Sequence, residues 1–298
     1  MSSRAWLSMG VIVLGLAGAA AQAAPRAELW PRWQAHDPGS TRTIRHDEWA
    51  EFLRRYLVVG DDGINRVAYG AVTPADTATL DAYIARLAEI PISRFNRKEQ
   101  MAYWINLYNA LTVRLVLAHH PVRSIRDIDI SPGWFSDGPW GRKLVEVEGE
   151  PVSLDDIEHG ILRPIWRDPR VHFVLNCAAT GCPNLPAEPL EAALLERQLT
   201  RAAIAYVNDP RGVNIEDDRL VVSCLFRWYA ADFGGSDEAI IAYLRVLAAL
   251  PLAARLARFS SIDDCHYDWS LNETEAAPSR QDLVKRGEAA GAARQGSL

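Results

Sequence analysis

Along most of this chain the apolar residues recur at the three-to-four spacing of an amphipathic helix, and only briefly with the alternation of a strand. From Thr43 to Tyr56, the positions Ile44, Trp49, Phe52, Leu53 and Tyr56 mark one helical face, and Asp61-Asp62-Gly63 then breaks the chain. Thr73 and Pro74 open a second helix through Leu80, Tyr83, Ile84 and Leu87, with Asp76 in its first turn. The segment 97–119 is different in kind. Its MAYWINLYNALTVRLVLA is apolar on almost every side, and Pro121 stops it. A helix of that composition belongs at the centre of a domain. Asn106 and Asn109 share one of its faces, and buried amides must be hydrogen-bonded, so a polar element should lie against them; a tied-down loop is the plain expectation.

Past that helix, Ser131 to Trp140 is punctuated by Gly and Pro and carries Trp134, Phe135 and Trp140. Such a loop either caps a core edge or stacks on a ligand. Lys143 to Val147 reads as a strand with a turn at 148–151. Ser153 caps a helix to about Trp166 whose stripe is Leu154, Ile157, Ile161 and Ile165. Glu158 falls inside that stripe, and a carboxylate aimed at a core needs a partner. His159 and Arg163 flank it. Arg170 to Pro183, RVHFVLNCAATGCP, predicts a short strand over Val171–Leu175 that releases at Asn176 into a loop holding Cys177 and Cys182. A helix over 189–206, a hairpin over 212–223, the Trp228-Tyr229 and Asp232-Phe233 pairs, a helix over 237–250 and YDWSLN at 267–272 complete the pattern.

The count of periodic segments predicts a helix-rich α+β fold: one domain over 29–272, with a small, mostly antiparallel sheet around the buried helix 97–119. Residues 29–95 form its N-terminal helical layer and 96–272 its core. The ends have different compositions. Residues 1–23 combine Arg4, a short apolar run and Ala21-Gln22-Ala23, the pattern of a cleaved export signal, while 273–298 is Ala-, Gly- and Arg-rich and is expected to be disordered. The expected location is therefore periplasmic or secreted, with no transmembrane segment after cleavage. A net charge of −6 argues against nucleic acid as partner. A small molecule, a peptide or a cell-envelope ligand remains. Of the four cysteines, Cys177 and Cys182 are the local disulfide candidate, whereas Cys224 and Cys265 lack a near neighbour.

Four motifs, WINLYNAL (104–111), SLDDIEHGILR (153–163), VHFVLNCAATGCP (171–183) and YDWSLN (267–272), resemble in this order the domain of unknown function 547 family, in its exported bacterial branch. The resemblance runs from about Trp49 to Asn272. It departs at Ala179, where bacterial relatives usually carry Ser. Plant relatives keep a Cys at the position of Cys177 but not at Cys182.

The chemistry these residues allow centres on Cys177. As a nucleophile it needs a base, and His159 is preferred over His172, which lies five residues before Cys177 and would face the other side of a regular strand. Glu158 or Asn106 would orient the imidazole, and Asn109 with the backbone amides of 178–181 would stabilise an oxyanion. The reaction class is thiol-dependent hydrolysis or acyl transfer, with no cofactor. Three other readings compete. Zinc could sit between His172, Cys177 and Cys182, with Glu158 or His159 as fourth ligand. The two thiols could be a redox pair. Or a structural Cys177–Cys182 disulfide could leave a non-catalytic envelope binding or scaffold domain, with Glu158 paired to Arg163 or another arginine and the ligand held by Trp134 and Trp140 or by the Asn face.

Overall fold

The structure, a computed structural model, describes residues 24–132 and 138–274. The export-signal expectation for 1–23, Trp134, and the tail from 275 on lie outside the described residues. Two helices open the fold, α1 (Asp47–Tyr56) and α2 (Pro74–Ala88), the second capped by Thr73, whose hydroxyl accepts the Asp76 N–H at 3.1 Å. The stripe of α2 packs onto α3 (Arg97–His119), which spans the predicted length, and α1 packs on α2, where Trp49 stacks on Tyr83 at 6.4 Å. Asn96 caps α3 by accepting the N–H groups of Lys98 and Glu99, each at 3.1 Å. From Glu99 to Val113 every residue of α3 is buried, as its all-round apolar composition requires.

The next helix, α4, starts as a π-helical stretch, Asp156–Leu162, and continues as the α-helix Arg163–Trp166. Pro164 gives a physical reason for the widening. It has no N–H for the Gly160 carbonyl, and its ring would collide with that carbonyl in a regular helix. Trp30 N–H bonds the freed Gly160 oxygen and Glu28 N–H bonds that of His159, both at 2.9 Å, so the N-terminal arm lies along the widened turn. The remaining helices are α5 (Leu195–Val207), α6 (Cys224–Trp228), α7 (Asp237–Leu247) and α8 (Leu250–Leu256).

The strands form three separate small sheets among the described residues. β1 (Leu57–Val59) pairs with β2 (Asn65–Val67), and β3 (Val145–Val147) with β4 (Glu150–Val152), both antiparallel. β5 (Val213–Glu216) and β6 (Arg219–Ser223) make the predicted hairpin, turned by Asp217 and Asp218 at positive φ, and β7 (Asp264–His266) joins β6 in parallel. The fold class is the expected α+β, but the three-stranded sheet does not pack on α3. Its Val213, Ile215, Leu220 and Val222 belong to a second apolar cluster with α5, α6 and α7, while α1 to α4 share the first. No helix among the described residues is long and apolar enough to cross a membrane.

Two expectations need correction here. Val171–Leu175 is not a strand: Pro169 starts a 3-10 turn, Pro169–Phe173, capped by Asp168, so strand parity says nothing about His172. The ordered chain also runs past Asn272, because Glu273 pairs with His120 at 2.6 Å and Thr274 N–H bonds the Val67 carbonyl at 3.1 Å.

Candidate functional site

After the 3-10 turn the chain crosses α3, and Asn109 fixes it there. Its carboxamide donates to the Val174 carbonyl and accepts the Asn176 N–H, both at 2.8 Å. Asn106, one turn earlier, does the same for Leu190 at 2.8 and 2.9 Å. Both amides are thus tied to backbone, and neither is hydrogen-bonded to an imidazole or a thiol. Asn176 Oδ1 accepts the Ala178 N–H at 3.1 Å, and the Ala178 carbonyl accepts the Asn272 N–H at 3.1 Å. Between these anchors Ala178 takes φ +55°, a left-handed conformation that costs a non-glycine residue roughly 1 kcal/mol or more. Cys177 therefore sits at a sharp, externally braced corner. Gly181 ends the loop because a side chain there would meet the Asp268 backbone nitrogen at 2.6 Å.

Cys177 and Cys182 are both free thiols, Cys182 buried and Cys177 partly open. The expected disulfide between them is not formed, and the bonded pair is Cys224–Cys265, with Cα atoms 4.8 Å apart, tying the end of β6 to β7. These two are far apart in sequence, and only the parallel pairing of β6 with β7 brings them together. In the thiol loop, Cys182 Sγ accepts the Cys177 N–H at 3.1 Å and the two side chains are hydrogen-bonded to each other. The Tyr267 hydroxyl lies 2.9 Å from Cys177 Sγ, and the Ala179 N–H also reaches that sulfur. Burial pushes the Cys177 thiol well up, and hydrogen bonding to Cys182 pushes it further. For Cys182 burial acts the same way, but the Cys177 side chain, the Cys177 N–H and Tyr267 outweigh it and bring its thiol below the ordinary range. The Cys177 N–H and the Tyr267 hydroxyl thus favour a charged Cys182 over a charged Cys177, and as a thiol Cys182 donates to the Leu175 carbonyl at 3.6 Å.

Beside the thiols runs a buried charged chain. His172, 3 % exposed, places Nε2 2.7 Å from Asp232 Oδ2 and Nδ1 3.5 Å from Glu158 Oε1. Asp232 also takes a two-pronged Arg163 contact, Nε at 2.6 Å and Nη2 at 3.2 Å. Burial alone would drive the His172 proton off, but hydrogen bonds to Asp232 and Glu158 raise its pKa instead. Burial likewise opposes ionisation of Glu158, yet His159, His172 and the Tyr229 hydroxyl hold its carboxyl at about 2, and Tyr108 donates to it at 3.2 Å. Two carboxylates thus face the Arg163 guanidinium and the His172 ring, whose protonated form they favour. The Tyr229 ring lies 4.0 Å from the His172 ring and 4.8 Å from the Arg163 guanidinium.

His159 joins this chain as an acceptor. Arg163 Nη1 lies 3.0 Å from its Nδ1, and its Nε2 faces Asp155 at 3.5 Å. Burial lowers its pKa. The lone pair a base would use is therefore already engaged, and the imidazole makes no hydrogen bond to either thiol. Glu158 pairs with His172 and the tyrosines, and Arg163 with Asp232, so the direct Glu158–Arg163 pairing is replaced. Three of the backbone amides expected to bind an oxyanion are also committed: Ala178 to Asn176, Thr180 to the Ser270 carbonyl at 2.7 Å, and Gly181 to the Asp268 carbonyl at 2.8 Å. Asn176 Nδ2, fully buried, has no partner among the described residues. Trp140 packs edge-on against Trp269 at 5.9 Å.

The family described as Protein of unknown function, DUF547, matches residues 92–207. Over this segment the chain is similar to the DUF547 family. No curated protein and no solved structure matches it. The DUF547 segment holds α3, α4 and both free thiols, whereas Asp232, Tyr267 and Asn272 come from beyond it. Among the described residues no cluster of three or more His, Cys, Asp or Glu side chains is arranged to hold a metal, and both His172 nitrogens face carboxylates. Sequence reasoning passed over Asp232, Tyr229, Tyr108, Asn176 and Tyr267 as site residues. Tyr108, Asn176 and Tyr267 lie inside three of the four motifs, and Tyr229 and Asp232 in the pairs at 228–229 and 232–233, so the available signal was a polar group in an apolar run.

Proposed function

We propose that this protein is a thiol-dependent acyl-transferring enzyme, a hydrolase or transferase working outside the cytoplasm, with Cys177 as nucleophile and Cys182 as its proton acceptor. The observation that carries the reading is the thiol pair itself: a partly open Cys177 whose side chain is hydrogen-bonded to a buried Cys182, which also accepts the Cys177 N–H at 3.1 Å. As the Cys177 sulfur bonds to the acyl carbon, its proton passes to Cys182. That proton then goes to the leaving group as the bond to it breaks, leaving a thioester on Cys177 that water or a second nucleophile resolves. Tyr267 keeps its hydroxyl proton, since burial pushes its pKa well up, and so positions the attacking sulfur as a hydrogen-bond donor.

The test is acylation by p-nitrophenyl acetate, read as nitrophenolate release and as an acetyl mass increment mapped by peptide sequencing. Acetylation should map to Cys177 and vanish in Cys177→Ser. Cys182→Ala should slow it by about a hundredfold or more, the usual reach of a general base, whereas His159→Ala should leave it within a few-fold. Equal acylation of wild type, Cys177→Ser and Cys182→Ala would refute the reading and leave a non-catalytic binding domain.

A further inference from the structure

The two thiols face each other without being bonded, in a chain whose other two cysteines are cross-linked. Their positions do not depend on a covalent tie. The loop is pinned at Ala178 by Asn272, at Thr180 by Ser270 and at Gly181 by Asp268, and Cys182 N–H closes it onto the Ala179 carbonyl at 3.1 Å. Cys182 Sγ is 3.1 Å from the Cys177 nitrogen, and the sulfurs already share a hydrogen bond. The two sulfurs are therefore hydrogen-bonded neighbours before any bond forms between them. Access is one-sided, because Cys182 is 4 % exposed while Cys177 is partly open, so an oxidant from solvent meets Cys177 first.

From this geometry we infer that Cys177 and Cys182 are a reversible redox pair, closed into a disulfide by a hydroperoxide and reopened by a dithiol. Cys177 gives its proton to Cys182 and its thiolate attacks one peroxide oxygen. The O–O bond breaks, Cys177 becomes a sulfenic acid, and the departing hydroxide takes the proton from Cys182 as water. The Cys182 thiolate then attacks the sulfenic sulfur, forming S–S and expelling hydroxide. One thiol, one thiolate and hydrogen peroxide thus give one disulfide, water and hydroxide, with two electrons passing from sulfur to oxygen. Closure also removes both partners of the acyl-transfer step, a consequence that rests on the function proposed above.

The experiment uses the full chain, reduced mildly enough to keep Cys224–Cys265, freed of reductant under nitrogen and given equimolar hydrogen peroxide. Non-reducing peptide mapping should show a Cys177–Cys182 link, a thiol titre falling from two to none, and full reversal by dithiothreitol. Cys182→Ser, which lacks the proton acceptor and so needs longer exposure to peroxide, should instead trap a dimedone-reactive sulfenic acid on Cys177. Wild-type protein that keeps both thiols, or that advances to sulfinic acid on Cys177 without a link, would overturn the inference. The two readings separate cleanly: a reversible link in a protein whose p-nitrophenyl acetate acylation ignores Cys177→Ser sinks the catalytic proposal and leaves the redox pair. Acylation at Cys177 without any link does the reverse.

Discussion

Replacing Asp232 by Asn removes one carboxylate from the charged chain while keeping its size. In the wild type that carboxylate accepts Arg163 at 2.6 and 3.2 Å and faces His172 at 2.7 Å, and both cations are under a tenth exposed. Removing one partner of a buried pair costs about 3–5 kcal/mol, because the other charge stays buried and uncompensated. Here the Asp232 side chain is one-fifth exposed, and Arg163 keeps the Pro25 carbonyl and the Tyr229 ring. The expected cost is therefore near the lower limit, about 3 kcal/mol. Urea unfolding at neutral pH reads it as a lower midpoint at unchanged slope. Asp218→Asn, which breaks an exposed pair with Arg258, should cost no more than about 0.5 kcal/mol and serves as control. The pH dependence carries a second signature. Against the effect of burial, His172 and Arg163 hold the Asp232 carboxyl at about 2, so its stabilisation is complete above the ordinary carboxyl range and disappears as pH falls through about 2. The acid limb of the stability curve should accordingly be shallower in Asp232→Asn. A cost under about 1 kcal/mol, indistinguishable from the control, would refute the view that this chain is a buried paired unit.

His172 sets the alkaline limb: its pKa is raised, so its contribution is complete below the ordinary imidazole pKa and is lost as pH climbs through the raised value. Melting temperatures should fall in the wild type as pH rises above the ordinary imidazole range and flatten in His172→Gln. The double change Cys224→Ser with Cys265→Ser opens a loop of sequence separation 41, which the chain-entropy estimate values at about 4 kcal/mol. Denaturant midpoints measure that cost, and because Tyr267 follows β7 by one residue, acylation of Cys177 should slow as well. Asn109→Ala strands the Val174 carbonyl and the Asn176 N–H in the core and should cost about 2–4 kcal/mol by urea unfolding.

Helix α3 was legible because an all-round apolar run of that length has one stable environment, and its bounds follow from Asn96 and Pro121. The polar pair on its face was legible for the same reason. Asn106 and Asn109 had to find partners, and they found backbone. Glu158 showed as a carboxylate in an apolar stripe, but nothing local named His172 as its partner. That pairing depends on a 3-10 turn that Val171, Phe173 and Val174 disguise as a strand, since a short β-branched run fits either conformation. The widened turn of α4 was likewise concealed, although Pro164 four residues after Gly160 was its visible cause. The disulfide was out of reach because Cys224 and Cys265 meet only through a parallel strand pairing.

The segment 171–178 is where the two apolar clusters meet. Val171, Val174, Leu175 and Ala178 pack with α3 and α4, and Phe173, between them, packs into the cluster of α5, α6 and α7. The charged chain crosses the same seam, from Glu158 and Arg163 on α4, through His172, to Asp232 ahead of α7. Tyr267 and Asn272, from the final segment, close on the thiol loop from the remaining side. Each half of the molecule therefore contributes groups that have no satisfactory partner within that half, and a buried charge left without its partner is costly. The position of Cys177 is consequently fixed by the docking of both clusters rather than by the loop that carries it. This accounts for a strained Ala178 persisting at φ +55° in a loop with a single glycine: the anchors on either side belong to elements held elsewhere.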